Sequence, residues 1–443
     1  MKIENGPRLL EEFPPVSTAA WEDRIRRDLK GADYDERLVW KTDEGIAVRP
    51  YYRSEHIVPR EPLSNAAGTW EMVGPGYEPA LSVSAIEAHE HGATAVQEVA
   101  WALAQGADLL AAGAPVTTLG FSVGSNHVME IAKLRSARLL WRAVASAFGV
   151  TGNARIHAHT ANENKTLYDP SVNLLRVTTE AVAAVLGGCD SLTIAPCGFD
   201  AHLAENVHHI LREESHLDKV LDPGAGSYYV EALTDAVSAD AWTLFQAIEA
   251  AGGWRAYSAS GAPDAALAGA RAVKEKAVAE RRRVLVGTNN YPNLQERELD
   301  ASGHAGPGWC LAQPFEAIRL RTERHAAATG RTPRVLLLER GDPKMRKARA
   351  TFCFNFFGCA GFEIVQSDAL TDADLIVLCS SDGEYLDLAR EIVPRVRVPV
   401  IVAGFPRDAI DALKAAGVFE FVHVLSNAVD ALSAVQARMG VRG

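Results

Sequence analysis

The sequence predicts an α/β protein in two parts: a TIM-barrel-like but abbreviated N-terminal region, then a flavodoxin-like, doubly wound C-terminal region. Three observations carry this. From Thr69 to Tyr291, short β-branched runs alternate with long stretches of helical periodicity, the pattern of parallel strands joined by helical crossovers. From Arg334 to Met439 the same alternation repeats more tightly, five strands in ~110 residues. Between the two lies a glycine–proline break at Gly303–Gly308. A chain of 443 residues is long enough for two or three domains.

The expected division is an N-terminal arm (1–60), a barrel region (61–300), a linker (301–333) and a terminal doubly wound region (334–443). In the arm, Trp21–Gly31 reads as a short amphipathic helix closed by a C-cap glycine, with extended, charge-rich sequence following through Tyr52. Such an arm buries little against itself and is expected to pack on its own barrel, on a partner, or on both. Strands are expected at Trp70–Val73, Leu81–Ala85, Thr117–Val123, Ala154–Thr160, Ser191–Ala195 and Val284–Thr288. Helices are expected at Ala95–Ala104, Val128–Phe148, Asn173–Leu186 and Thr234–Glu249, with Tyr228–Glu231 strand-like. Six strands fall short of the eight of a full barrel. After the helix Phe315–Thr329, the second region reads as strands Arg334–Glu339, Phe362–Val365, Asp374–Cys379, Pro399–Val402 and Glu420–His423. Its helices are Met345–Phe357, Glu384–Val393, Arg407–Ala415 and Ala428–Met439.

Composition narrows the function classes. The net charge of −11 argues against a chain built to grip nucleic-acid phosphates. No apolar run approaches the ~20 residues of a membrane helix. Glu4, Glu11 and Glu12 interrupt any signal-peptide pattern at the N-terminus. The six cysteines form no CxxC pair, the usage of a reducing cytoplasm.

Motifs are sparse. Gly120-Phe121-Ser122-Val123-Gly124 has the G-x-S-x-G form of a nucleophile elbow, which would make Ser122 the nucleophile of a serine hydrolase with partners such as Asp222 and His304. A pattern this short also arises by chance, and Ser125-Asn126 delay the helix that a strained elbow requires. The histidines His89/His91, His157/His159 and His202/His208/His209 cluster without a third ligand at metal spacing, so no metal site is expected. Asp222–Ser227 reads equally as an anion nest or a tight turn. Asn162-Glu163-Asn164-Lys165-Thr166 follows a strand, where barrel enzymes place catalytic groups, yet pattern alone assigns it no reaction.

Longer stretches carry more. Trp21–Gly31, Asp43–Ile46, Gly92–Glu98 with Ala100–Leu103, and Glu130–Arg138 with Leu140-Trp141 together resemble the methylmalonyl-CoA mutase family. So do Asn173–Arg176 with Thr179–Ala181 and Leu186–Gly188, Glu213–His216, Asp222–Gly224 and Gly226–Tyr228. The resemblance covers essentially the whole chain. It implies a substrate barrel followed by a flavodoxin-like cobalamin domain.

The departures matter as much. Active mutases carry D-x-H-x-x-G, whose histidine holds cobalt from below; here the corresponding loop reads Glu339-Arg340-Gly341-Asp342-Pro343-Lys344-Met345-Arg346, and the one histidine of the second region is His423. The glycine-rich segment for the nucleotide tail is replaced by Val422–Asn427. Where catalytic members have a Tyr-His pair beside the thioester, this chain has Ile86-Glu87; where they read Ser-Leu-His-Thr-Asn, it reads Ser191-Leu192-Thr193-Ile194-Ala195. The passage from the Trp70 strand to the Leu81 strand omits a stretch that bears several strands in active members. Glu213 and Ser380-Ser381-Asp382 fit the small-subunit branch of the family, in a short form. This implies a non-catalytic chain with no catalytic, cofactor-binding or metal residues of its own. It would pair in the cytoplasm with a large (alpha) subunit that binds adenosylcobalamin and interconverts methylmalonyl-CoA and succinyl-CoA. The arm from Pro14 to Tyr52 is the segment expected to embrace that partner. An active adenosylcobalamin-dependent acyl-CoA mutase is the alternative within the family.

Overall fold

A computed structural model describes residues 12–63, 68–74, 80–296 and 308–441. Most of the expected Gly303–Gly308 break, and His304, lie outside the described residues.

The arm folds onto the chain itself. Helix α1 (Thr18–Asp28), capped by the Ser17 hydroxyl, and the turn α2 (Tyr34–Leu38), capped by Asp33, bury none of their residues. They lead into a two-stranded hairpin, β1 (Trp40–Lys41) and β2 (Ala47–Val48). Ile46 and Val48 of the hairpin are buried with Ala95, Met129, Ala132, Leu233 and Val237, and Tyr52 stacks on Tyr229 at 5.6 Å. This apolar contact fixes the end of the arm, leaving α1 exposed.

The first sheet contains β3 (Glu71–Val73), β4 (Val83–Ser84), β5 (Thr118–Val123), β6 (Arg155–Thr160) and β7 (Ser191–Thr193). Every pairing is parallel, in the order β3-β7-β6-β5-β4. Around it pack α3 (Ile86–Glu90), α4 (Ala95–Ala111), α5 (His127–Ala147), α6 (Pro170–Leu186), α7 (Ala201–His209) and α8 (Tyr228–Ala250), followed by α9 (Gly253–Ala259) and α10 (Ala262–Ala279). Leu119, Phe121, Val123, Ile156, Ala158 and Leu192 turn toward the helices and share one core with them. The intervening residues Gly120, Ser122, His157, His159, Ser191 and Thr193 therefore line the opposite face.

Two expectations fail here. Val284–Thr288 forms no strand: the Asn289 side chain accepts from Leu285 N and donates to the carbonyls of Val278 and Arg283, satisfying locally the groups a sheet would have paired. Tyr228–Glu231 is the first turn of α8, because Val230 and Glu231 join the buried face that the helix presents along its length.

Helix α11 (Gln313–Thr329), ended by Gly330 with φ +79°, leads to the second sheet. Its strands are β8 (Arg334–Glu339), β9 (Glu363–Ser367), β10 (Leu375–Cys379), β11 (Val400–Ala403) and β12 (Glu420–Val422), all parallel, ordered β12-β11-β10-β8-β9. Helices α12 (Pro343–Gly358) and α15 (Ala428–Met439) border one core; α13 (Tyr385–Ile392) and α14 (Ile410–Ala415) border the other. Strands covered on both faces explain the unbroken apolar runs Val335–Leu338 and Leu375–Cys379.

Candidate functional site

Parallel α/β sheets carry their chemistry beyond the carboxyl ends of their strands. Two such places exist here, one per sheet.

At the first sheet, Asn162–Thr166 follows β6 and is buried almost throughout. Glu163 receives Lys274 Nζ at 2.9 Å and Arg283 Nη2 at 3.4 Å, with His89 Nε2 at 3.9 Å. Burial opposes its ionisation, but Lys274, then His89 and Arg283, hold its carboxyl well below the usual range. Lys165 Nζ reaches both oxygens of Glu180 at 2.8 Å, as well as the Ala161 carbonyl. Beside them Lys133 Nζ contacts Glu98 at 2.9 and 3.0 Å, Glu130 at 2.6 Å and the Ser122 carbonyl at 2.6 Å. His89 Nδ1 lies 2.7 Å from Glu98 Oε1. Burial lowers the His89 pKa most strongly, but the carboxylates of Glu98 and Glu163 together outweigh burial and Lys133 and raise it. An ionised group taken out of water is tolerated only when paired and hydrogen-bonded. Here each buried cation named is matched by a carboxylate of the same chain.

Ser122 belongs to this network rather than to a triad. Its hydroxyl is fully buried within β5 and donates to Glu90 Oε1 at 2.7 Å, while Glu90 also accepts the Asn162 amide. Asp222 is engaged elsewhere: it pairs with buried Arg135 and accepts the Leu63 amide at 2.7 Å. The proposed hydrolase partners are thus not brought together, and His304 lies outside the described residues.

The histidines also separate. His157 and His159 share a face of β6, and His157 Nδ1 sits 2.9 Å from Ser191 Oγ; burial, reinforced by His159, pushes its pKa down to about 4. His208 accepts from Trp70 Nε1 at 3.1 Å and burial lowers it likewise, to about 4. His89 and His91 sit at the end of α3, not on a strand. No group of three or more metal-ligating side chains occurs among the described residues.

At the second sheet, Glu339–Arg346 forms the β8–α12 turn. Asp342 caps α12 by accepting Met345 N at 2.7 Å, and Gly341 takes φ +75°. Glu384, exposed, links the loops after β8 and β10: its Oε2 accepts from Ser380 Oγ at 2.7 Å, Ser381 Oγ at 2.5 Å, and the amides of Ser381 and Asp342 at 3.2 Å. The Ser381 and Ser380 hydroxyls lead in lowering its pKa, to about 2. A Cβ on Gly341 would overlap Glu384 Oε2 and lie 2.6 Å from Ser380 Oγ. His423 stands after β12, its ring 4.8 Å from that of Phe405, and its Nδ1 accepts Leu425 N at 3.2 Å. Cys379 is wholly buried in the core.

Residues 75–329 match the sequence profile described as methylmalonyl-CoA mutase. The chain belongs to the methylmalonyl-CoA mutase family. It is 31% identical to the methylmalonyl-CoA mutase small subunit of Porphyromonas gingivalis over 618 aligned positions, covering 98% of this chain and 99% of that protein. With the methylmalonyl-CoA mutase small subunit of Streptomyces virginiae it shares 34% identity over 82% of this chain, spanning 64% of the relative's length. Against the methylmalonyl-CoA mutase of Escherichia coli it is 36% identical over half the chain and 34% of that protein. An alignment of 618 positions over a 443-residue chain means that the Porphyromonas relative has many residues with no counterpart here. The network of buried charges was not legible in the sequence: Glu98 and Lys133 stand 35 residues apart, Glu163 and Lys274 111.

Proposed function

We propose that this chain is a non-catalytic small subunit, in short form, of a heterodimeric methylmalonyl-CoA mutase. It stabilises a large subunit that binds adenosylcobalamin and interconverts methylmalonyl-CoA and succinyl-CoA. The observation that carries this reading is the commitment of the first sheet's end to the chain's own charges. Lys274, Arg283 and Lys165 are committed to Glu163 and Glu180. The residues do not fit adenosylcobalamin: the loop that would present an imidazole to cobalt has none, and its Asp342 amide is held by Glu384. The small-subunit names of its relatives agree with this.

The architecture is read as an abbreviated TIM barrel followed by a degenerate, flavodoxin-like cobalamin domain. In support, β3, the first strand, pairs with β7, the last, as in a closed barrel, and β7 through β4 run in sequential order. Counting from an eight-stranded barrel, the units between β3 and β4 are the three missing ones. The second sheet's order, 2-1-3-4-5 by chain position, is that of doubly wound flavodoxin-like folds. The chain divides accordingly into an arm (1–60), barrel (61–300), linker (301–333) and terminal domain (334–443). The exposed face of α1, with Trp21 half exposed, is the part of the arm offered to the large subunit. Six free cysteines suit the cytoplasm, and no helix among the described residues is long and apolar enough to cross a membrane.

The purified chain titrated with adenosylcobalamin is expected to leave the corrinoid's visible spectrum unchanged, with mutase turnover appearing only on co-expression with a large subunit. Corrinoid binding or turnover by this chain alone would overturn the reading in favour of an active mutase. Labelling of native Ser122 by a fluorophosphonate would instead revive the hydrolase.

A further inference from the structure

The helical layer over the first sheet stops short of β3. Met72 pairs with Leu192 across the β3–β7 seam, so the two share the helix-facing side of the sheet. Leu192 is wholly buried in the core there, whereas Met72 is 39% exposed. Between the end of β3 and helix α7 this leaves a cavity of about 230 Å³, with Met72, Val73, Ile194 and Ala204 as its apolar lining. Drug-sized ligands occupy roughly 300–1,000 Å³, so this space suits something smaller. Met72, Ile194 and α7 set it on the helix-facing side, away from the face that carries Ser122, His159 and Thr193.

One buried polar side chain lines this cavity: His208, only 3% exposed. Its Nδ1 accepts from Trp70 Nε1 at 3.1 Å. Arg212 holds that indole in turn, its guanidinium 4.9 Å from the ring centroid and donating to the Trp70 carbonyl. Burial, with Arg212 beside it, keeps the His208 ring neutral down to about pH 4. A neutral ring whose Nδ1 accepts carries its proton on Nε2. That Nε2 has no partner among the described residues and is not sealed from solvent, so the donor opens on the space the ring lines. A fixed donor at the wall of an otherwise apolar pocket is the pattern of a small-molecule site. No lysine or arginine lines it, and the exposed carboxylate of Glu205 at its rim disfavours a second anion.

We propose that this cavity binds a small uncharged molecule, its carbonyl oxygen accepting from His208 Nε2–H and its compact apolar body packed against Met72, Val73, Ile194 and Ala204. Trp70 and Arg212 act as positioning residues: they fix the tautomer and the angle of the imidazole before any ligand arrives. A carboxylate could accept the same hydrogen bond, but it would bring its charge up to Glu205. The site is independent of the small-subunit reading and holds whether or not the chain is catalytic.

The test titrates the full-length chain, labelled with nitrogen-15 at histidine, with pivalamide and with its isosteric acid, pivalate. Pivalamide is expected to move the His208 ring-nitrogen signals saturably, with a dissociation constant on the order of 1 mM, as suits about seven non-hydrogen atoms. Pivalate should bind at least about tenfold more weakly at pH 7. Ala204→Met fills the cavity without touching the His208–Trp70 pair, and should weaken pivalamide by roughly tenfold or more with circular dichroism unchanged. His208→Phe keeps the bulk, removes the donor and should do the same. Should both variants fail to fold, the wild-type preference for amide over acid decides the matter. No saturable movement of His208, pivalate as tight as pivalamide, or undiminished binding by a folded Ala204→Met chain each overturns the proposal. None of these bears on corrinoid binding, so the small-subunit reading stands or falls separately.

Discussion

Lys133→Met tests whether the first sheet's end is held together by buried charge. Lys133 is fully buried, with Glu98 and Glu130 almost so, and its ammonium lies within 3.0 Å of three carboxylate oxygens and one carbonyl. Methionine matches the volume but leaves buried Glu98 and Glu130 without the ammonium they share. Breaking a buried pair by removing one partner costs about 3–5 kcal/mol. At an m-value of roughly 2–3 kcal/mol/M, that lowers a urea midpoint by about 1–2 M. Tryptophan fluorescence is the right probe, because all eight tryptophans precede residue 310 and the second sheet contributes none. The double variant Glu98→Gln/Lys133→Met should cost less than the two single changes summed, by more than about 0.5 kcal/mol, the limit expected of independent sites. A Lys133→Met penalty within about 1 kcal/mol, as for exposed pairs, or strict additivity would refute a charge-filled site.

Three further outcomes follow from the same geometry. Gly341→Ala forces a Cβ into the left-handed region and against Glu384, so the second unit should lose roughly 1–2 kcal/mol. Far-UV circular dichroism should register that loss with little change in the tryptophan transition, and an unaltered stability would refute the tight loop. His89 is held above its ordinary 6.5 by Glu98, so its contribution is complete below pH 6.5 and fades as pH rises through the folded value. His89→Gln should therefore cost more at pH 5.5 than at pH 9, and equal costs in denaturant titrations would contradict this. Burial raises the thiols of Cys197 to about 11 and of Cys310 and Cys359 to about 12, and raises Cys189. At Cys189, Cys197 and Cys359, which are buried, native protein at pH 8 should thus react with a thiol reagent only after urea is added, while half-buried Cys310 should react slowly; rapid native labelling at the buried three would speak against these positions.

What was legible in the sequence depended on how local its cause was. Strands β8, β10 and β11 are covered on both faces, and their apolar runs announce them without ambiguity. Helix α5 was found from its apolar spacing, yet its buried side also carries Glu130, Lys133, Arg135 and Arg138, which periodicity assigns to solvent. Beyond the Glu130–Lys133 pair within the helix, partners from other elements justify those charges: Glu98 on α4, Glu231 on α8, and Asp190 before β7. Val284–Thr288 misled for the converse reason, since the asparagine that follows it, Asn289, supplied hydrogen bonds that a ladder would otherwise have given. The position of Asn162–Thr166 at a strand's carboxyl end was readable, but its role was not, because that depended on Lys274 and Arg283 far downstream.

The filled ends have a common physical origin. A site that binds a polar ligand keeps donors uncommitted, and the ligand supplies their partners. Once no ligand comes, each buried group left unsatisfied costs about 1–3 kcal/mol, more if charged. A chain that binds no such ligand, as proposed above, is therefore under pressure to answer its own donors. Ser122 shows the small-scale form: a hydroxyl at a strand's end, offered to Glu90 within 2.7 Å, while Glu90 also ties down the Asn162 amide. At the second sheet exposed Glu384 ties the loop together, one carboxylate accepting from two hydroxyls and two amides. Reversing either would take more than restoring one histidine, since the loop around Gly341 has closed to the width of the carboxylate it now holds.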